Sequence, residues 1–327
     1  MQGHPTTDPQ VLFKMVYPAT FIHKNIFFRQ IMYKRILLLA LVIVCGVRLH
    51  AQDDLLSLLS EEKTTQYARH AFKSPRVINS HSMEMLNKGT LDFRILHRFG
   101  EISGGAYQLF GLDQASMRLG FDYGVTKNFT AGFGRSTSKK ELDGFLKYRL
   151  LWQSTGKRNI PVSLVWVSGM TVNGLKEPLS DPDLTVTFSR RLGYYHALMV
   201  GRKFNEWLTI QLTPTLVHTN ITDNILIPND LFALGFGGRL KCSKRIAFVW
   251  DYTHAFNRFP QNVHYNPLSV GFDIETGGHV FQLHFSNAVG MNERAYITDN
   301  NGNWLKGNIR FGFNLSRVFQ IAKPASK

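Results

Sequence analysis

From Gly89 onward, apolar and polar residues alternate with a period of two, the mark of strands whose two faces meet different surroundings. Leu91, Phe93 and Ile95 alternate with Asp92 and Arg94; Met117, Leu119, Phe121 and Tyr123 alternate with Arg118, Gly120 and Asp122. Leu146, Tyr148, Leu150 and Trp152 alternate with Lys147 and Arg149, and Leu208, Ile210, Leu212 and Leu216 with Thr209, Gln211, Thr213 and Thr215. Ile246, Phe248, Trp250 and Tyr252 share one face of a strand, and Phe281, Leu283 and Phe285 one face of another. Ile309, Phe311, Phe313 and Leu315 oppose Arg310, Gly312, Asn314 and Ser316. This pattern predicts about twelve strands, near 90–99, 116–125, 129–136, 142–153, 160–172, 187–203, 207–219, 231–241, 245–256, 268–275, 279–287 and 308–319. Most have the roughly 9–11 residues of a tilted membrane strand.

Short and long links alternate between the strands, although those after 136 and 153 are nearly equal. Thr126-Lys127-Asn128, Phe204-Asn205-Glu206 and Gly277-Gly278 have hairpin chemistry. The expected fold is therefore all-β: an antiparallel up-and-down transmembrane β-barrel with tight turns and both termini in the periplasm. The barrel domain should cover 89–320, with a tail at 321–327. In a soluble sandwich the strands would be shorter and the apolar face would fill a core. In the barrel, Phe93, Phe121, Tyr148, Trp152, Trp250, Phe281, Phe285, Phe311 and Phe313 face lipid. Asp92, Arg94, Arg118, Asp122, Lys147, Arg149, Arg239, Asp251, Asp273, Glu275 and Arg310 then line the lumen.

Composition narrows the remaining classes. Apolar residues make up 44% of the chain and charged residues 19%, which excludes disorder, and only one segment approaches the length of a membrane helix. The net charge of +15 is scattered one or two residues at a time through apolar stretches, so nucleic acid is not expected as a partner. The apolar segment, Ile36 to Val47, follows Met32-Tyr-Lys-Arg and precedes Ala51, the layout of a secretory signal at 32–51. Residues 1–31 read as an upstream extension, with Met32 as initiator. Cys45 falls inside the signal, which leaves Cys242 as the thiol of the exported chain. Residues 52–88 form a periplasmic or plug segment. It starts with a short amphipathic acidic helix, carrying Leu55, Leu56, Leu58 and Leu59, and has a possible strand around 76–85.

Several stretches resemble a family of outer-membrane β-barrel proteins of Gram-negative bacteria catalogued as a domain of unknown function. They are Leu91 to Gly100, Gly105 to Ala115, Asp143 to Tyr148, Asp273 to Leu283 and Gly312 to Phe319. The resemblance covers nearly all of 70–320. It implies the cell outer membrane and a single barrel domain, and it carries no catalytic or ligand residues.

The candidate chemistry is sparse. His284 and Ser286 stand two apart on one strand, the spacing of an outer-membrane lipid hydrolase, but Phe281, Leu283 and Phe285 claim the lipid face and turn the pair inward. Histidines at 81, 97, 196, 218, 254, 264, 279 and 284 lack metal-ligand spacing, so no metal and no other cofactor is expected. Gly235-Phe-Gly-Gly238 lacks the helix of a phosphate loop, and Asp299-Asn-Asn-Gly302 lacks the ligand spacing of a calcium loop. The reading is a narrow pore or small-solute barrel with a charged lumen and an unknown small polar solute. The alternative is a structural outer-membrane protein that binds a periplasmic partner through residues 52–88. Outer-membrane lipid surrounds the barrel in either case.

Overall fold

The computed structural model describes residues 64–176, 187–222, 228–257 and 264–322. The signal segment and the helix expected over 52–62 lie outside them. Two short strands, β1 (Gln66–Tyr67) and β6 (Ser154–Thr155), pair with each other. Twelve others close a barrel. They are β2 (Thr90–Glu101), β3 (Ala115–Thr126), β4 (Phe129–Ser136), β5 (Leu142–Leu151), β7 (Ser163–Val172), β8 (Leu192–Lys203), β9 (Leu208–Thr219), β10 (Asp230–Lys241), β11 (Ile246–Ala255), β12 (Leu268–Thr276), β13 (His279–Ser286) and β14 (Arg310–Gln320).

Each barrel strand pairs antiparallel with its sequence neighbours, and β14 pairs with β2 to close the ring, so no edge is left unpaired in lipid. The near-equal links resolve cleanly. Residues 137–141 lie at the long-loop end, while 152–162 lie at the turn end and carry β6. The sixth expected strand, 187–203, began too early, because Phe188–Arg191 forms a 3-10 turn and pairing starts at Leu192.

The outer face is tied together by cross-strand aromatic pairs: Phe93 with Phe121 at 5.1 Å, His97 with Phe313 at 4.7 Å, and Phe285 with Phe311 at 5.6 Å. Trp152 departs from this face. The β5–β7 register shifts between Arg149 and Leu151, which breaks the alternation. Trp152 therefore turns to the mouth of the barrel, where its Nε1 donates to the Ala68 carbonyl at 3.0 Å.

The lumen is filled with polypeptide. From the turn end, residues 71–86 enter the barrel, and all but Lys73, Glu84 and Met85 are buried. They form an irregular hairpin with one bridge, Arg76 to His81, and the Val77 amide donates to the Ser80 carbonyl at 2.9 Å. The strand expected around 76–85 is thus absent, because this backbone bonds mainly to barrel side chains. From the loop end, residues 287–302 fold inward around a short helix, Glu293–Thr298, capped by the Asn292 side chain.

Candidate functional site

A segment without regular structure has no ladder for its backbone groups, and buried groups left unpaired are costly. In residues 71–86 the inward side chains of the wall meet that need. Asp251 Oδ2 accepts the amides of Ile78 at 3.4 Å, Asn79 at 2.8 Å and Ser80 at 2.8 Å, while Oδ1 accepts the Ser80 hydroxyl at 3.0 Å. Gln211 accepts the Met83 amide and donates to the His81 carbonyl, both at 2.7 Å. Gln282 donates to the Val77 carbonyl at 2.6 Å and Asn314 to that of Ile78 at 3.1 Å.

The inward cations divide between two tasks. Lys147 donates to the carbonyls of Glu84 at 2.6 Å and Pro75 at 3.3 Å, Arg149 to Met83 at 2.9 Å, and Arg239 to Ala71 at 3.4 Å. These three hold the plug, and so does Arg98, whose Nη2 donates to the Asn79 side-chain oxygen at 2.8 Å. Arg94 instead pairs with Asp92 at 2.5 Å and Asp122 at 3.5 Å, and Arg118 pairs with Asp143 at 2.5 Å, all within the wall. Space for the Arg118 guanidinium comes from Gly134, where a Cβ would lie 2.3 Å from it. Asp273 accepts from Gln282 at 2.7 Å. Glu275 pairs with Lys73 of the plug, and Arg310 pairs with Glu101 at 2.5 Å.

The two inserted segments meet. Arg76 Nη1 lies 3.4 Å from both oxygens of Glu293, and Glu293 Oε1 accepts the His81 amide at 3.1 Å. Burial raises the Glu293 carboxyl and Arg76 opposes the rise; the net shift is upward. One residue on, Arg294 forks onto Glu141 at 2.8 Å and reaches Asp299 at 2.9 Å. Burial alone would raise Asp299, but the positive charges of Arg294 and Lys139 outweigh it and hold its pKa at about 2. The second segment is thereby fixed to the wall.

The opposite side of the lumen is apolar. Phe145, Val165, Val167, Tyr195, Met199, Val217 and Leu231 point inward and pack with Phe72, Val77 and Met83 of the plug and with Tyr296 and Ile297 of the outer segment. Gly201 makes room for Met83, whose Sδ would sit 2.3 Å from an added Cβ.

The other sequence candidates lie apart from this arrangement. His284 and Ser286 are both buried on β13, yet the Ser286 hydroxyl accepts from Ser269 at 2.7 Å and from the Ala288 amide at 3.0 Å. Neither ring nitrogen of His284 has a hydrogen-bond partner among the described residues, so the base is not joined to the hydroxyl. Among the described residues, no group of three or more His, Cys, Asp or Glu side chains converges as metal ligands would. Gly235 to Gly238 lie inside β10, and Asn300 is engaged by Tyr265 and Gly302 within the outer loop. Asp143, Glu141, Gln211, Gln282, Asn314, Arg76 and Glu293 carry the arrangement without having been singled out. Of these, Asn314, Gln211, Gln282 and Asp143 stand on the polar side of the period-two pattern and were legible as inward positions.

A family profile described as a membrane bound beta barrel domain (DUF5777) matches residues 72–319. The chain belongs to this family. DUF5777 thus spans both the plug and the barrel, and the protein is an outer-membrane β-barrel that sits in lipid. No protein curated for function matches the chain. The DUF5777 barrel is similar in fold to the NanC porin, with 9% identity, a TM-score of 0.43, and coverage of 70% of this chain and 98% of that one. It is also similar to outer membrane phospholipase A from Escherichia coli in an active-site mutant form, with 11% identity, a TM-score of 0.41, and coverage of 74% and 95%. The CymD monoaromatic hydrocarbon channel shares 11% identity at a TM-score of 0.29, over 71% and 88%.

Proposed function

We propose that this protein is a closed barrel for small polar solutes, shut in the state described and conducting when residues 71–86 leave the charged wall. The observation that carries this reading is how the plug is bonded. On that wall its backbone is held by side chains, Asp251, Gln282, Asn314, Lys147 and Arg149, joined by Gln211 from β9, all of which water can satisfy in its place. Departure of the plug leaves a polar, hydratable surface. Arg94 and Arg118 keep their wall partners, whereas Lys147, Arg149 and Arg239 lose the plug carbonyls that engage them. These three then set a mild anion preference, opposed by Asp251.

Planar-bilayer recording tests the reading. Wild type should be silent or open rarely, Asp251→Ala should open often, and adding Lys147→Gln should move the reversal potential towards cations. A folded, heat-modifiable Asp251→Ala barrel that stays silent would overturn it. A second reading rests on the apolar side, where Phe72, Val77 and Met83 are part of the core. There the plug is permanent, and the barrel is a structural protein presenting the part of its periplasmic segment, residues 52–88, that precedes the plug to a partner.

A further inference from the structure

The turn-end mouth holds a cleft of about 500 Å³ between the plug and the wall, and a second of about 140 Å³ adjoins it. Both are lined by Tyr67, Lys127, Arg149 and Trp152. The larger volume falls within the range of small-molecule sites, roughly 300–1,000 Å³. We infer that this mouth binds a small anionic molecule with a flat apolar body. The inference is independent of whether the lumen ever opens.

The centre of the site is a fixed stack. The Arg149 guanidinium lies 4.2 Å over the Trp152 ring, and the Tyr67 ring lies 4.7 Å from Trp152 on centroids. Trp152 is locked by its hydrogen bond to the Ala68 carbonyl, and Tyr67 by the β1–β6 pairing. Arg149 is only 6% exposed, and its Nε is buried without a hydrogen-bond partner among the described residues. Its Nη2 bonds a neutral carbonyl, that of Met83, and among the described ion pairs it has no carboxylate. A nearly buried cation with unused donors in a cleft wall is a ready partner for an anion.

The surroundings add to the same preference. Arg69 and Lys127 line the larger cleft and Arg158 the smaller. Lys73 is offset by Glu275, and Glu84 uses one oxygen for the Ala71 amide at 3.1 Å. The balance is cationic, in a recess where low-dielectric walls focus the field. The Tyr67 ring, 43% exposed at the edge of this stack, offers the apolar half of the recognition.

The probe is 2-naphthoate, measured by calorimetry on the full mature chain in phosphatidylcholine nanodiscs, with 2-naphthalenemethanol and inorganic phosphate as comparators. We expect 2-naphthoate to bind with a dissociation constant on the order of 0.1 mM, and each comparator to bind at least about tenfold more weakly. Arg149→Gln should weaken binding about tenfold and Lys127→Gln about threefold. Lys127 sits exposed in the β3–β4 turn, so its variant keeps the test valid if Arg149→Gln fails to fold. Nanodiscs containing phosphatidylglycerol distinguish the source. Loss of naphthoate binding there assigns the site to anionic lipid, and retention assigns it to a soluble periplasmic anion. Equal binding of acid and alcohol, phosphate binding as tight as naphthoate, or indifference to Lys127→Gln in a folded barrel would each overturn the inference.

Discussion

The lumen has two unlike sides, and the plug touches both. Along β11–β14 and β2–β5 the inward side chains are mostly charged or amide-bearing and hold the plug through directed bonds to its backbone. Along β7–β10 they include Val165, Val167, Tyr195, Met199, Val217 and Leu231, which hold it through its side chains, with Gln211 and Arg239 as the polar exceptions that bond its backbone. Directed bonds fix where residues 76–83 lie and can be exchanged for water, whereas apolar burial is non-directional and is lost on exposure. The charged side sets the register of the plug, and the apolar side resists its removal.

The largest expected effect comes from breaking the charged side at its centre. Asp251→Ala leaves three plug amides and a hydroxyl without their acceptor, and should weaken closure by roughly 3 to 5 kcal/mol. Faster hydrogen exchange at Ile78, Asn79 and Ser80, with the barrel amides unchanged, is the expected result. On the apolar side, Met83→Ala opens a cavity against Gly201 and should cost about 2 to 4 kcal/mol. There the whole of 71–86 should loosen together, since no single amide depends on that side chain. A local effect from Met83→Ala and a global one from Asp251→Ala would reverse the assignment.

A smaller effect concerns the outer segment. Asp299 is held at about 2 from an ordinary 3.8, so its ionised form stabilises the fold. That contribution is complete above about pH 4 and is lost as pH falls towards 2, for a total on the order of 2 kcal/mol. Glu293 runs the other way: its raised value means that protonation on acidification removes a burial cost. The difference in urea stability between wild type and Asp299→Asn should therefore be largest near pH 6 and shrink to a small remainder by about pH 2. A difference independent of pH would remove the ion pair from the account.

Legibility in the sequence followed the same division. On β2, β3 and β14 the inner and outer faces differ in polarity, so strand, face and number could be read directly. On β7 both faces are apolar, with Val165 and Val167 inside and Leu164 and Trp166 outside, and alternation there says nothing about direction. The apolar half of the lumen was invisible for that reason. The lumen charges were placed, but not what they hold. An inward Lys147 looks the same in sequence whether it faces water or the carbonyls of Pro75 and Glu84. Trp152 was misplaced because a bulge is a pairing event, and one strand's pattern does not contain its partner's register.

The occupied lumen is tested most directly by the reach of solvent to the plug. In a mature chain with Cys242→Ser, a thiol at Ser82→Cys, fully buried between the two sides, is compared with one at Lys88→Cys, exposed at the mouth. With a membrane-impermeant maleimide in native membranes, Lys88→Cys should label promptly and Ser82→Cys at least about a hundredfold more slowly, reacting only through plug opening. Equal labelling of both positions would contradict a lumen closed by residues 71–86.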